Sequence, residues 1–222
     1  MRAKASVAKC GGFIPRSRKF IGKELLERLL LFVRYRPEFA RFGTVFLLSY
    51  VFLLRLPSEA LPTVCALSGR QPVAQSVLRL EGDELVMCLQ KRKNRRLGST
   101  LRRRCWCRTS AITCPVHELA KMVDWSSDRP LFEGMSSGEA LRGLRRILQE
   151  MAEPEAAHYK THDLRRGHAE DLRASGATLR EILLAGDWRS PAFLKYLNLE
   201  KLESEAVVQA HWDESSSDEV SD

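Results

Sequence analysis

The segment "THDLRRGHAEDL", Thr161–Leu172, gathers two histidines and two consecutive arginines into the first two turns of a helix. A helix made only for packing would offer Leu and Ala there, so these residues form either a solvated basic face or a seat for an anion. His162 and Arg165 stand three residues apart and project from one face near the N-terminus, with Ala169 a turn further on. Leu164, His168 and Leu172 line another face, which turns to the core. Free N–H groups at a helix N-terminus carry partial positive charge, so two cationic or hydrogen-bonding side chains beside them suit a pair of phosphate oxygens. On this helix alone the solvated basic face is the stronger reading.

The bulk composition favours a folded, anion-seeking protein. The chain has 222 residues and 44% hydrophobic content, enough for one large domain. Thirty-six Lys and Arg against 28 Asp and Glu give a net charge of +8 and a pI near 9.4, a balance that fits DNA, RNA or an anionic surface. The longest apolar run, "TVFLLSYVFLL" (Thr44–Leu54), is closed by Arg55 and falls short of the roughly 20 residues that span a bilayer. It predicts a buried helix and no membrane partner. No signal-peptide core follows Met1, so the chain is expected not to be secreted, and its six cysteines are expected to be reduced or metal-bound rather than bridged. The first 23 residues hold no Asp or Glu, a composition shared by transit peptides and by basic arms that track phosphate.

Periodicity predicts an α+β fold, mostly helical with a small three-stranded antiparallel sheet. "ELLERLLLFVRY" (Glu24–Tyr35) has leucines at helical spacing, and Pro37 separates it from a second helix running to about Leu54. "SVLRLEGDELVMCLQ" reads as a hairpin turning at Gly82-Asp83, and "GSTLRRRCW" as a third strand. Further helices are predicted over 116–123, 138–151, 162–174, 179–185 and 192–199. Capping boxes Ser136…Glu139 and Thr178…Glu181 mark two starts, and Ser190-Pro191 a third. The expected organisation is a basic leader (1–22), one domain (23–200), a helical segment (201–212) and a disordered acidic tail (213–222).

Downstream of the histidine–arginine helix, "LLAGDWRSPAFLKYLNLE" places Trp188 after a glycine-terminated helix and Tyr196 on the next. Upstream, "LLRLPSEALPTV" sets Arg55 at the end of the buried helix with Glu59 in a Pro-containing turn, and "LQKRKNRRLG" supplies a basic turn within the sheet. This ordered set resembles the tyrosine recombinase (phage integrase) superfamily catalytic domain, from the arginine box through the sheet lysine to the His–Arg helix, the tryptophan and the tyrosine. The phrasing "LLRLPSEALP…RRGHAEDL…AGDWRSPAFLKY" is most similar to the eukaryotic mobile-element branch. Each box has a bland alternative: a helix-end cation, a nuclear localisation signal, a core aromatic, a core neighbour of Phe193. Those alternatives do not predict one another, whereas the resemblance predicts all of them in order.

The resemblance implies site-specific DNA cleavage and rejoining through a 3′-phosphotyrosyl intermediate. Tyr196 would attack a phosphodiester and release a 5′-hydroxyl. A phenol with a pKa near 10 is a poor nucleophile at neutral pH, so the site must stabilise the phosphorane and assist proton movement. Arg55 and Arg165 would clamp non-bridging oxygens, His162 would bond the scissile phosphate and accept the tyrosine proton, and the Trp188 indole N–H would donate to an oxygen. Lys93, or Lys91 if the turn slips, would protonate the leaving oxygen, and Glu59 would orient the arginine and histidine. Catalysis would need neither metal nor ATP, because the phosphotyrosyl bond conserves the energy of the broken phosphodiester.

A separate motif, "CWCRTSAITCPVH", spaces Cys105, Cys107, Cys114 and His117 as Cys-x-Cys-x6-Cys-x2-His. Three thiolates and an imidazole suit structural zinc, although in a regular strand the first two thiols would point to opposite faces. Buried reduced cysteines are the alternative.

The resemblance also implies partners: double-stranded DNA, a homotetramer on DNA that exchanges a segment such as "LEKLESEAVVQAHW", and a clamp domain or separate clamp protein for the opposite face of the duplex. Only a short leader precedes the catalytic helices, which leaves that clamp to be supplied. Localisation would be nuclear in a eukaryote, with an organellar alternative, and cytoplasmic otherwise. Two rivals stay open: a catalytically silent recombinase-derived DNA-binding protein, and a type IB topoisomerase.

Overall fold

The computed structural model describes residues 19–66, 76–92, 98–127 and 129–188. Lys93, Tyr196, the expected helix over 192–199 with its Ser190-Pro191 start, and the segments beyond it lie outside the described residues.

Helix α1 (Lys23–Arg34) buries the stripe Leu26, Leu29, Leu30 and Val33, the i, i+3, i+4, i+7 spacing of one helical face. After a 3₁₀ turn at Pro37–Phe39, α2 (Ala40–Val51) is buried continuously from Gly43 to Val51. An apolar run closed by an arginine thus becomes the central helix of the core, against which α1, α3 (Ser137–Glu150) and α4 (His162–Ala174) pack. Among the described residues no helix is long and apolar enough to cross a membrane. Helix α2 stops three residues short of Leu54 because Leu53 turns left-handed at φ 50°. That turn sends the Leu53 side chain into a second cluster with Ala169 of α4 and Ile182 of α5 (Leu179–Gly186).

The sheet has four strands rather than three, in the order β1-β2-β3-β4. Strands β2 (Ser76–Glu81) and β3 (Glu84–Leu89) form the hairpin, with Glu81 opposite Glu84, and β4 (Ser99–Arg104) pairs antiparallel to β3. The added strand, β1 (Thr63–Ala66), runs parallel to β2, with Thr63 opposite Ser76. All four of its residues are buried, so it has no polar/apolar alternation to betray it in the sequence. A second correction concerns 116–123, where the chain makes only a 3₁₀ turn, Leu119–Met122. Glu118 and Leu119 both donate to the Cys114 carbonyl, so the preceding residues form turns and not a helix. Both expected capping boxes are complete, with Ser136 and Glu139 starting α3 and Thr178 and Glu181 starting α5.

Helix α4 is held at its back from two directions. Its Asp171 carboxylate accepts from the Lys23 backbone N–H at 2.7 Å and from the Tyr50 hydroxyl at 2.6 Å. A carboxylate of α4 thereby caps the first turn of α1, whose own N-cap, Gly22, has no side chain for the task. About two turns away, Ile21 donates to the Asp163 carbonyl at 3.0 Å as the chain crosses α4 at Gly167. A Cβ on Gly167 would lie 1.9 Å from the Ile21 carbonyl oxygen, so only glycine permits this crossing.

Candidate active site

Arg55 sits in extended backbone between the buried Leu54 and Leu56, and the chain then makes a π-helical turn over Leu56–Ala60. In that turn Ala60 and Leu61 donate to the carbonyls five residues back, of Arg55 and Leu56. The wide turn brings Glu59 back under Arg55: its carboxylate accepts the Arg55 backbone N–H at 2.8 Å and faces the Arg55 guanidinium at 3.4 Å. Such single π turns recur at functional sites, where they re-aim a side chain.

Glu59 is 2% exposed and gathers three arginines. Arg92 Nε donates to Glu59 Oε1 at 3.1 Å, and an Arg165 guanidinium nitrogen lies 3.6 Å from Oε2. Burial by itself would raise the Glu59 pKa, but Arg92, the Arg55 N–H and Arg165 outweigh it and hold the carboxyl below its ordinary value. Arg92 also pairs with Asp187, 3.3 Å away, at the left-handed residue that ends α5. Three guanidiniums face two carboxylates, so the cluster keeps a net positive charge. Arg55 is its accessible member, with 30% of its side chain exposed.

Arg165 is buried at 1% exposure, and its guanidinium carbon lies 4.7 Å from the centroid of the Trp188 ring. The indole lies against Gly186, where a Cβ would come within 2.4 Å of it. Trp188 therefore covers Arg165 face-on, in a cation–π arrangement. His162, half-buried at the start of α4, has its pKa lowered to about 4 by burial first and then by Arg165, Arg166 and Arg55. The imidazole is neutral at physiological pH, the form able to accept a proton.

The structure thus brings Arg55, Glu59, His162, Arg165 and Trp188 into one region. Lys91 is exposed, two residues beyond β3. Arg92 and Asp187 are the residues missed by sequence reasoning. In "QKRKN" the strand-like alternation of Lys91 and Arg92 was the available signal, since neighbours on an extended chain face opposite ways. Among the other tyrosines, Tyr50 is buried on Asp171 with its pKa raised, chiefly by burial. Tyr159 donates to Glu153 and is pushed up to about 12, again chiefly by burial, and Tyr35 is exposed just beyond α1.

His168 serves the opposite side of α4. It is 6% exposed, stacks on Tyr50 at 4.4 Å between centroids, and its Nδ1 lies 2.6 Å from the Tyr50 carbonyl oxygen. Arg103, from β4, fastens the sheet beneath: its Nε donates to the Val51 carbonyl at 2.8 Å and another nitrogen to the Ala185 carbonyl at 2.7 Å. These bonds satisfy free carbonyls at the ends of α2 and α5.

Elsewhere, the ligand atoms of Cys105, Cys107, Cys114 and His117 lie within 4.8 Å of one another. Strand β4 ends at Arg104, so Cys105 and Cys107 lie on a turn and their thiols converge.

No protein-family model and no curated protein matches the sequence. Solved structures do match the fold. One is the XerH site-specific recombinase bound to its difH substrate, in a pre-cleavage complex, with TM-score 0.59 and 14% identity over 85% of this chain and 54% of that one. Another is XerH bound to palindromic difH substrate in a post-cleavage complex, with TM-score 0.55 and 15% identity over 86% of this chain and 53% of that one. This chain spans about half the length of those recombinase chains. With its central buried helix and its small sheet, the protein has a fold that resembles the tyrosine recombinase catalytic core.

Proposed function

We propose that the protein cleaves and rejoins DNA strands as a tyrosine recombinase, with Tyr196 as the nucleophile. The observation that carries the reading is the buried Glu59 carboxylate, which fixes Arg55, Arg92 and Arg165 beside a neutral His162. Preorganised guanidiniums at a helix N-terminus stabilise charge that grows on a phosphorane, and they need no rearrangement at the moment of reaction. Arg55 and His162 meet the scissile phosphate first. Arg165 joins them when the Trp188 ring turns aside and exchanges its cation–π face for an N–H bond to the phosphate. Lys93, with Lys91 as alternative, protonates the leaving 5′-oxygen. Arg92 and Asp187 are positioning residues.

Double-stranded DNA is the proposed substrate, a homotetramer the proposed assembly, and a clamp domain or separate clamp protein the proposed partner. The eukaryotic mobile-element branch, with nuclear localisation, is the proposed origin, supported by the wording of the sequence boxes.

A nicked suicide duplex tests the chemistry, because loss of the fragment carrying the 5′-hydroxyl traps the covalent intermediate. The full chain should yield an adduct that maps to Tyr196 by mass spectrometry. Tyr196→Phe should abolish the adduct while keeping salt-sensitive DNA binding. An adduct that persists in Tyr196→Phe refutes the assignment; binding without any adduct in the folded wild-type chain favours the catalytically silent reading. Relaxation of supercoiled plasmid without sequence preference would favour the topoisomerase.

A further inference from the structure

We propose that Cys105, Cys107, Cys114 and His117 bind one structural Zn²⁺, and that this ion clips the segment after β4 onto the back of α4. The His117 Nδ1 lies 3.3 Å from the Cys105 sulfur, 3.2 Å from that of Cys107 and 3.6 Å from that of Cys114. The sulfurs of Cys105 and Cys114 are 3.8 Å apart. Tetrahedral zinc with bonds of about 2.3 Å to sulfur and 2.0–2.1 Å to nitrogen requires S···S near ~3.8 Å and S···N near ~3.6 Å. These four separations match to within a few tenths of an ångström, and all four ligand atoms lie within 4.8 Å of one another. A disulfide needs its sulfurs at about 2.05 Å, so the Cys105–Cys114 separation is that of two ligands on one ion and not of a bond.

The donor set points to the metal. Three thiolates and an imidazole in a closed tetrahedron leave no position for water, which makes the site structural and suits the borderline-soft Zn²⁺. The Cys107 backbone N–H also points at the Cys105 sulfur, 3.5 Å away, a contact that stabilises a bound thiolate.

The ligand-bearing segment holds what packs behind the active site. Trp106, between the first two ligands, meets His168 edge-on at 6.0 Å and 81°, and Lys23 Nζ donates to the Thr109 carbonyl at 2.9 Å. With the ion bound, that segment keeps Trp106 against His168 and so supports the face of α4 opposite His162. This role is independent of whether Tyr196 forms an adduct.

The test uses the full chain purified from zinc-replete cells without chelator. Elemental analysis should find about one zinc per chain, the stoichiometry of a closed four-ligand site. Replacement by Co²⁺ should give the thiolate-to-cobalt charge-transfer bands and the intense visible bands of a tetrahedral complex. Cys107→Ser and His117→Ala, which leave the buried ligand Cys114 in place, should lose bound metal and weaken or shift those bands, whereas Cys88→Ser should keep both. Chelation should lower the thermal midpoint of the wild-type chain, and added Zn²⁺ should restore it. A folded wild-type chain without zinc, cobalt bands unaltered in Cys107→Ser and His117→Ala, or a Cys105–Cys114 disulfide in the untreated protein would each overturn the proposal.

Discussion

Two histidines six residues apart on α4, His162 and His168, show how one helix serves two purposes. Both are held neutral, to about 4 and about 3, and burial is the largest cause for each. At His162 the further causes are three arginines, Arg165, Arg166 and Arg55, and the ring remains half-buried at the helix start. At His168 little of the residue reaches solvent, the further depressing charge is Arg103, and the ring lies between Tyr50 and Trp106. A neutral histidine near solvent and guanidiniums can exchange a proton with a substrate. One enclosed by rings and bonded to a carbonyl can only hold two helices together.

The sharpest way to break this comparison is to replace each imidazole with a neutral amide. His162→Gln should cut the rate of adduct formation by roughly 10²–10⁴, the usual worth of a general acid–base group, with little change in the denaturation midpoint. His168→Gln should lower the midpoint, yet leave the adduct rate within roughly tenfold when equal folded fractions are compared. If His168→Gln slowed the chemistry as much as His162→Gln, the division between the two faces would be wrong.

Glu59→Gln strikes the anchor of the proposed catalytic side. The amide keeps the shape and can accept the Arg55 N–H, but it leaves Arg92 and Arg165 buried with much less compensation. Breaking such a buried pair costs about 3–5 kcal/mol, so denaturant titration should show a large loss of stability as well as a loss of DNA cleavage. On the opposite side, Gly167→Ala forces a Cβ onto the Ile21 carbonyl, with no flexible side chain to yield. A cost near the upper end of the ~1–3 kcal/mol typical of overpacking is expected, read from the same titration.

The same comparison can be read in pH. The unfolded chain protonates both histidines near 6.5, whereas the fold keeps them neutral down to about 4 and about 3. Between those values the unfolded state binds more protons, so stability present above ~6.5 is lost as pH falls through this window. Glu59 adds a loss of the same sign, since its pKa is lowered in the fold. Asp163 and Asp171 oppose it, because burial raises their pKa values and acid relieves them. In His168→Gln the slope of stability between pH 6.5 and 3 should flatten by up to about 1.4 kcal/mol per pH unit, and in His162→Gln only above about pH 4. An unchanged slope in His168→Gln would mean that the ring is charged in the fold.

Much of the architecture was legible because it is written in short-range patterns. The leucine stripe of α1, the Gly82-Asp83 hairpin and the two capping boxes each depend on residues within a turn or two of one another. Strand β1 was not legible, because a buried parallel strand lacks the alternation that marks a half-exposed one. Nor was the 3₁₀ turn at Leu119–Met122, where apolar spacing resembles a helix but the chain is committed to turns around Cys114. The convergence of Cys105 and Cys107 depended on where β4 ends, and a regular strand would have separated their thiols.

By itself the sequence determined which residue types are available for the proposed chemistry and the order in which they occur: Arg55 with Glu59, a basic turn in the sheet, His162 with Arg165, then Trp188 and Tyr196. Tertiary structure alone decided that Arg92 of the basic turn is buried and that Asp187 pairs with it. It also decided that Trp188 lies flat on Arg165, and that His168 stacks on Tyr50 with its Nδ1 at the Tyr50 carbonyl. The reason is physical. Local spacing sets which face of an element a side chain occupies, but what that face meets comes from elements distant in sequence, and burial and counter-charge are properties of that meeting.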